Sequence, residues 1–452
     1  MHPGKPVIPL GAVAFREMLC GRSRLIEGLR LAIITQELIA FCGDAVPDFQ
    51  TGASPNTRID ALDALRAAAM LLGVFLHASV AYLHQPVPGL VWLVNDPSPS
   101  WAFDLLFWYL HGFRIPLFFL VAGFFAALLC DLRGPRAYLE HRLKRIGAPL
   151  LGAALVILPP TYLLWGLGLV GQDIVSWREV LRGSYSDQVL KHDLMGLGHL
   201  WFLQYLLIYS VVYFALRRWL PGVLSIPARV RFLDAWWRPL PWVILTFGLL
   251  WIRPEIFTRF ENRWTPEPWG LAYYGLFFFV GTRVHRVSDR LDRLIPTGRW
   301  FVVASIAVFA PVFVMLQWRA AGDSAPHANT WVFACAAALF CWLGVLGFLG
   351  LCLEGYKTIS PHMRFVADAA YWIYLVHVFL VGLTQLLIHW AGQGLNIGVP
   401  RSLGFTLAVG CAFAVGLASY RYAVRYGVIG EWLHGKKVKC EAVDRAEVVA
   451  KL

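Results

Sequence analysis

The first long apolar run of the chain contains two ionisable residues, Arg66 and His77, which are eleven positions apart. On a helix this separation is about three full turns, so both side chains share one face and lie about 16 Å apart along the axis. Asp63 precedes Arg66 by one turn and can pair with it. A neutral histidine in this position is suited to act as a general base. The spacing equally fits a charged anchor at the helix end and a histidine that only packs.

A second apolar run, LHGFRIPLFFLVAGFF, has Arg114 well inside it and Pro116 two residues later. Lipid offers a guanidinium no partner, so an arginine at this depth should face protein or water. Pro116 loosens the helix backbone beside it. We therefore expect Arg114 to point into a helix bundle, unless its side chain snorkels to the membrane surface.

The segment RGPRAYLEHRLKRIGAP places Arg142 and Arg145 one helical turn apart. Arginine presents its donors as a planar fork, and this geometry matches the oxygens of a phosphate group. The pair is therefore a candidate phosphate site. A basic loop that only sets membrane orientation would have the same composition, and the sequence leaves both interpretations open.

Two further groups of polar and aromatic residues lie within or beside apolar runs. GLGHLWFLQY has His199 and Trp201 at the outer end of the fourth run. DAAYWIYLVH has Tyr371, Tyr374 and His377 at intervals of three residues, which puts them on one helical face. An interfacial tryptophan and a hydrogen-bonded buried stripe explain these patterns as well as a binding site does.

The elements that must position these residues are membrane helices. Of the 452 residues 58% are hydrophobic and only 15% are charged, whereas a soluble domain carries about a quarter charged residues. The composition predicts an all-α polytopic integral membrane protein with about ten transmembrane helices. A net charge of +12 does not indicate nucleic acid, because the basic residues occupy short links between apolar runs. The eight cysteines form no Cys-x-x-Cys pair, so they predict neither a metal site nor a disulfide framework.

The distribution of Lys and Arg predicts the orientation. The apolar runs predict spans at 62–84, 103–130, 149–171, 199–219, 239–257, 269–285, 300–318, 330–354, 368–391 and 402–424. Every second link is rich in Lys and Arg, which is typical of cytoplasmic links. We therefore expect both termini in the cytoplasm and a location in the cell inner membrane. Residues 1–57 are expected to be a disordered or interfacial extension, residues 58–425 the transmembrane domain, and residues 426–452 a basic cytoplasmic tail.

Taken together and in order, several of these motifs resemble the acyltransferase 3 family of membrane-bound acyltransferases. They are LDALRAAAMLLGVFLH, FRIPLFFL, RLKR before Pro149, GHLWFL and YWIYLVH, and the match runs from about 58 to 425. Within the family, FRIPLFFL and GHLWFLQYLLIY look most like the glucan biosynthesis protein C group, a glucan succinyltransferase group. The chain departs from the pattern at Ala122, where a serine is expected.

The resemblance implies transfer of a succinyl or acetyl group from acyl-CoA to hydroxyls of a glucan or another cell-envelope carbohydrate. His77 would be the base, and Arg66 and Arg114 would stabilise negative charge. Arg142 and Arg145 would hold the CoA phosphates. The acceptor side would be lined by His199, Trp201, Tyr374 and His377. Acyl-CoA would be a co-substrate, and neither a metal nor a tightly bound cofactor is implied.

A transporter or flippase of a glycolipid or polysaccharide is the alternative from another functional class. Buried histidine and arginine residues suit a transport path as well as an active site. An arginine pair beside a histidine within the membrane favours the enzyme, because a transporter needs no anchor for CoA. The partners expected are acyl-CoA, membrane lipid and a carbohydrate acceptor, with periplasmic glucan as a candidate. The sequence gives no indication of the oligomeric state.

Overall fold

The computed structural model of the protein describes residues 57–183, 194, 196–224, 239–320, 330–355 and 360–435. The predicted extension before residue 57 and most of the predicted basic tail lie outside this part of the chain. Two units are distinguished: residues 53–424 with 432–434 form one, and residues 425–431 belong with the chain ends in the other. All candidate functional residues belong to the first unit.

Every regular element in the described part is helical, which confirms the predicted all-α class. The α-helices are α1 (Thr57–Ser79), α2 (Trp101–Arg142), α3 (Ala148–Val156), α4 (Leu158–Gly171), α5 (Trp177–Arg182), α6 (Trp201–Trp219), α7 (Pro221–Leu224), α8 (Leu240–Ile252), α9 (Glu255–Thr258), α10 (Pro268–His285), α11 (Ile295–Ala320), α12 (Thr330–Gly355), α13 (Pro361–Leu395), α14 (Arg401–Ser419) and α15 (Val428–His434).

Seven helical stretches in the described residues are long and apolar enough to cross a membrane. The predicted total of about ten depends on three further segments that fall short of that standard. The segment of α3 and α4 is broken at Ile157, α8 has 13 residues, and α10 is rich in tyrosine and glycine. The protein is thus a multi-pass membrane protein, and ten crossings stays a prediction.

Helix α2 is too long for one straight crossing. Its 42 residues correspond to roughly 63 Å, about twice the thickness of the hydrocarbon core. Gly134, with φ of 79°, interrupts the helical geometry, and Pro135 follows it. The kink separates a membrane-spanning part from a short part that ends at Arg142, and a π-helical turn with Arg145 comes next (Leu143–Gly147).

Helix α1 occupies the centre of the bundle, because it packs against α2, α12, α13 and α14. This arrangement brings the candidate residues of α1 next to those of α2 and α13. Helices α11 and α14 lie at the periphery, and less than a quarter of the most apolar stretch of each helix is buried. Apolar side chains exposed on such helices are expected where lipid is the solvent.

Helices α2 and α10 approach each other closely through two glycines. A Cβ atom on Gly123 would overlap the carbonyl oxygen of Phe278, and one on Gly281 would overlap the carbonyl oxygen of Leu120. The two backbones are therefore in direct contact, as is common where small residues line a helix crossing in a membrane. The contact fixes the part of α2 that carries Arg114.

The α2–α10 contact predicts that Gly123→Leu will destabilise the folded protein. The added side chain has no room between two backbones, so the helices must separate, and overpacking of this kind costs about 1–3 kcal/mol or more. The thermal stability of the purified protein in detergent should fall, and its abundance in membranes should drop. Gly410→Leu on α14 is the matched control, because no atom lies within 4 Å of a Cβ there. Equal stability of the two variants would contradict the close contact.

Candidate functional site

The residues selected from the sequence divide between two cavities. A central cavity inside the bundle is lined by His77, Arg114, His199, Trp201, Tyr374 and His377. A second cavity, of about 310 Å³, is lined by Arg66, Arg142 and Arg145, and we call it the basic cavity. A larger space of about 830 Å³ near Gln393 and Arg401 contains none of the nine. The bundle thus brings together six residues that the sequence spreads over 300 positions.

Three histidines surround the central cavity. His77 on α1 and His377 on α13 have ring centroids 5.2 Å apart, and His199, from a short turn before α6, has its ring 5.3 Å from that of His377. All three are buried. A hydroxyl group that enters this space therefore has several imidazole nitrogens within reach, and their hydrogen bonds decide which of them can accept a proton.

Two of the three imidazoles are held by backbone carbonyls. His377 Nδ1 donates to the Tyr374 carbonyl at 2.7 Å, which leaves Nε2 as a bare acceptor. His199 Nε2 donates to the Leu375 carbonyl at 3.1 Å. His77 instead stacks on Trp92, with centroids 6.1 Å apart, and its Nδ1 has no hydrogen-bond partner in the described part of the chain. His77 is the least constrained by hydrogen bonds of the three.

Arg114 extends from α2 toward α1 and the histidines. Its Nη1 donates to the Ala69 carbonyl at 3.3 Å, and its Nε has no partner among the described residues. Gly73 leaves room for it, because a Cβ there would lie 2.8 Å from Nη1 and 3.7 Å from His377 Nε2. Arg114 therefore points into the bundle, as expected from the sequence, and its guanidinium is available to an anion that forms in the cavity.

The polar stripe on α13 connects the two cavities. The Tyr371 hydroxyl donates to the Arg145 carbonyl at 2.9 Å, and the Tyr374 hydroxyl donates to the His199 carbonyl at 2.7 Å. Trp201 packs edge-on against Tyr205 beside the central cavity, with centroids 5.1 Å apart. The hydroxyls of Tyr371 and Tyr374 are thus engaged by backbone carbonyls, and they hold the π-helical turn of Arg145 and the short turn of His199 against α13.

The basic cavity concentrates positive charge at the other end of the site. Arg66 pairs with Asp63 at 2.7 Å, which confirms the predicted ion pair. The Arg142 guanidinium lies over the Tyr138 ring at 5.4 Å. Three arginines and a single carboxylate, that of Asp368, line the cavity. Its chemistry suits a ligand with several negative charges.

Met70 and Phe118 line both the basic cavity and the central cavity. On α1, Met70 lies one turn beyond Arg66 on the face that leads to His77, and on α2, Phe118 lies one turn from Arg114. The side chains of Met70 and Phe118 therefore lie where the two cavities adjoin, and we call this junction the Met70–Phe118 passage. Sequence reasoning missed both residues, because a methionine and a phenylalanine in apolar runs have no distinguishing feature except this spacing.

The central cavity also adjoins a space of about 270 Å³, which we call the outer vestibule because the predicted topology puts the link before α10 on the outer side. The two spaces share Arg259, Phe260, Glu261 and Tyr274. Burial raises the pKa of the Glu261 carboxyl, and nearby Arg263 and Arg259 oppose this shift. No sequence feature marks Arg259, Phe260 or Glu261, since the link between α8 and α10 contains an ordinary mixture of charges, and Tyr274 is one of several aromatic residues in α10.

His77 also borders a small aromatic cavity that contains Trp92, Tyr162 and Trp165. Trp165 is perpendicular to Trp92 at 5.0 Å and donates to the Val91 carbonyl at 2.9 Å. The Trp92 indole donates to Gln385 at 2.8 Å. The wall behind His77 thus consists of tryptophans that are themselves hydrogen-bonded, which limits movement of the ring without a hydrogen bond to Nδ1.

Comparison with known proteins gives consistent matches. A family described as an acyltransferase domain matches residues 59–421. Proteins named glucans biosynthesis protein C are similar: that of Salmonella gallinarum (strain 287/91 / NCTC 13346) is 26% identical over 333 residues, covering 72% of this chain and 82% of the relative. That of Salmonella agona (strain SL483) is 26% identical over 339 residues, with the same coverage. No solved structure matches the chain.

The predicted topology puts the basic cavity and the outer vestibule on opposite sides of the membrane, so their residues should differ in accessibility. A maleimide that cannot cross lipid should label Arg263→Cys from the outer side and Arg145→Cys only from the cytoplasmic side, because basic links remain in the cytoplasm. Sealed vesicles of known orientation provide the measurement, with the unsubstituted protein as the control for its own cysteines. Labelling of both variants from one side would contradict the arrangement.

Proposed function

Because this chain belongs to the acyltransferase family whose domain it carries over residues 59–421, we propose a specific reaction for it. It moves a succinyl or acetyl group from acyl-CoA to a hydroxyl of a glucan or another cell-envelope carbohydrate. The observation that carries the proposal is the central cavity, which is lined by His77 and shares wall residues with the basic cavity and, separately, with the vestibule. Donor and acceptor can then reach one histidine from opposite ends. The names of the relatives support a glucan acceptor.

The basic cavity supports CoA as the donor. Arg66, Arg142 and Arg145 supply forked donors, and CoA presents phosphate groups on a long, narrow arm. The distance from Arg66 to His77 along α1 is about 16 Å, and the Met70–Phe118 passage covers that interval. An extended arm would bring its thioester to the histidines while its phosphates remain outside. This geometry suits a donor in the cytoplasm, with the protein in the inner membrane and both termini on the cytoplasmic side.

In the proposed reaction the acceptor hydroxyl loses its proton to His77, and its oxygen attacks the carbonyl carbon of the thioester. The oxyanion that forms is stabilised by Arg114, whose guanidinium points into the cavity. The carbon–sulfur bond then breaks, and the thiolate receives the proton held by His77. The products are the acyl ester and free CoA. His199 and His377 keep fixed positions around the acceptor through their backbone hydrogen bonds.

The flippase alternative predicts movement of an unmodified glycan with no role for CoA. Membership in an acyltransferase family favours the enzyme. Incubation of membranes with acyl-CoA that carries a labelled acyl group separates the two functions. Label in the carbohydrate fraction supports acyl transfer, and glycan movement without label transfer supports the flippase.

His77→Gln and His77→Ala should both abolish transfer. General-base catalysis contributes about 10²–10⁴-fold, and an amide can hydrogen-bond but cannot take the proton. The measurement is the rate of acyl transfer, normalised to the abundance of each variant in the membrane. His377→Ala is the comparison. Robust transfer by His77→Gln would show that the base is elsewhere. Loss of transfer in His377→Ala, with transfer retained in His77→Ala, would show the same.

Arg142→Ala and Arg145→Ala should each raise the KM for acyl-CoA and leave the KM for the acceptor unchanged. Charge-assisted contacts to phosphate contribute about 1.5–3 kcal/mol, which corresponds to at least a tenfold rise. The lysine variants should recover only part of the loss, because they lack the forked donors. Initial rates over a range of acyl-CoA concentrations test this, with Lys144→Ala as the matched control in the same turn. An unchanged KM in both variants would limit the pair to a topological role.

A further inference from the structure

The outer vestibule contains a carboxylate that the proposed reaction does not use. Glu261 lines this vestibule and the central cavity as well, together with Phe260 and Tyr274. A molecule that moves from the outer side toward His77 therefore passes Glu261. Its location, between a space of about 270 Å³ and the histidines, is where an acceptor has to be oriented.

The Glu261 carboxylate has unused hydrogen-bonding capacity. Its Oε1 is shielded from solvent and has no hydrogen-bond partner in the described part of the chain. Another vestibule carboxylate, that of Glu267, is already engaged, because its Oε2 accepts the Gly270 N–H at the start of α10 at 2.6 Å. A buried oxygen without a donor costs free energy, and a hydroxyl of a ligand would remove that cost.

The segment that carries Glu261 is fixed at several points. The Phe260 N–H donates to the Pro88 carbonyl at 2.9 Å, and Asn262 Oδ1 accepts the Gly198 N–H at 2.6 Å. Gln204 Nε2 donates to the Trp264 carbonyl at 2.6 Å. Hydrogen bonds thus hold the backbone on both sides of Glu261 in place, so binding of a ligand there would cost little conformational entropy.

The charge of the vestibule indicates which ligand it takes. Its ionisable side chains are Arg253, Glu255, Arg259, Glu261, Arg263 and Glu267. Three positive and three negative charges cancel, and the wall shared with the central cavity has one charge of each sign, Arg259 and Glu261, so the lining has no net attraction for an anion or a cation. A neutral molecule rich in hydroxyl groups can instead donate to Glu261 and accept from Arg259 on that shared wall.

We propose that the outer vestibule binds an uncharged sugar unit of the acceptor. Glu261 accepts a hydrogen bond from the hydroxyl next to the one that His77 deprotonates. Glu261 is a positioning residue in this scheme, since it orients the acceptor and does not contact the thioester. The inference rests on the proposed function and adds the location and the charge class of the acceptor.

The experiment uses the full chain in membranes or detergent, with labelled acyl-CoA and two acceptors: a neutral gluco-oligosaccharide and the same oligosaccharide carrying a phosphate. The KM for each substrate is measured for wild type, Glu261→Gln, Glu261→Asp and Glu255→Gln. Glu255 lines the vestibule but not the central cavity, so Glu255→Gln measures the effect of removing a negative charge from the vestibule.

We expect the wild type to prefer the neutral oligosaccharide. Glu261→Gln should raise the KM for it roughly 10- to 100-fold, the loss of one hydrogen bond to a charged group, with the KM for acyl-CoA unchanged. Glu261→Asp should recover part of the loss, and Glu255→Gln should change that KM less than threefold. If Glu261→Gln accumulates poorly, the acceptor KM of Glu261→Asp decides, and a rise of at least threefold is then expected.

Several results would overturn the inference and leave the proposed function intact. They are an acceptor KM unaffected by substitution of Glu261, an equal effect of Glu255→Gln, or a preference of the wild type for the phosphorylated oligosaccharide. Absence of transfer to any carbohydrate by the wild type would instead refute the proposed function, and the inference with it.

Discussion

Arg114 carries a positive charge inside a helix bundle, and an ion in such surroundings costs several kcal/mol when nothing compensates it. The structure meets this cost in part with the Ala69 carbonyl, and Gly73 provides space for the guanidinium. Among the described residues no carboxylate pairs with Arg114, so its charge is available to an oxyanion.

The three histidines depend on this packing as well. His77 and His377 meet only because α13 packs beside α1, and His199 joins them through a turn that Tyr374 holds by its hydroxyl. Each of the two tethered imidazoles gives one N–H to a backbone carbonyl, which fixes its tautomer.

The sequence was informative where a pattern is local. Composition predicted an all-α membrane protein, spacing predicted the Arg66–Asp63 pair, and family resemblance identified the chain as an acyltransferase. The meeting of residues from distant helices could not be derived, because it depends on which helices pack together. Met70 and Glu261 were missed for another reason. Each is an ordinary residue type for its segment, and only its place on a wall shared by two cavities distinguishes it.

The central cavity adjoins both the basic cavity and the vestibule, and a continuous water-filled path through all three would let ions cross the bundle. The apolar side chains of Met70 and Phe118 lie where the basic and central cavities adjoin, and they offer an ion no replacement for its water. Hydrophobic constrictions in channels block conduction by expelling water in the same manner. A junction that suits a thin, neutral arm therefore also hinders the movement of ions through the bundle.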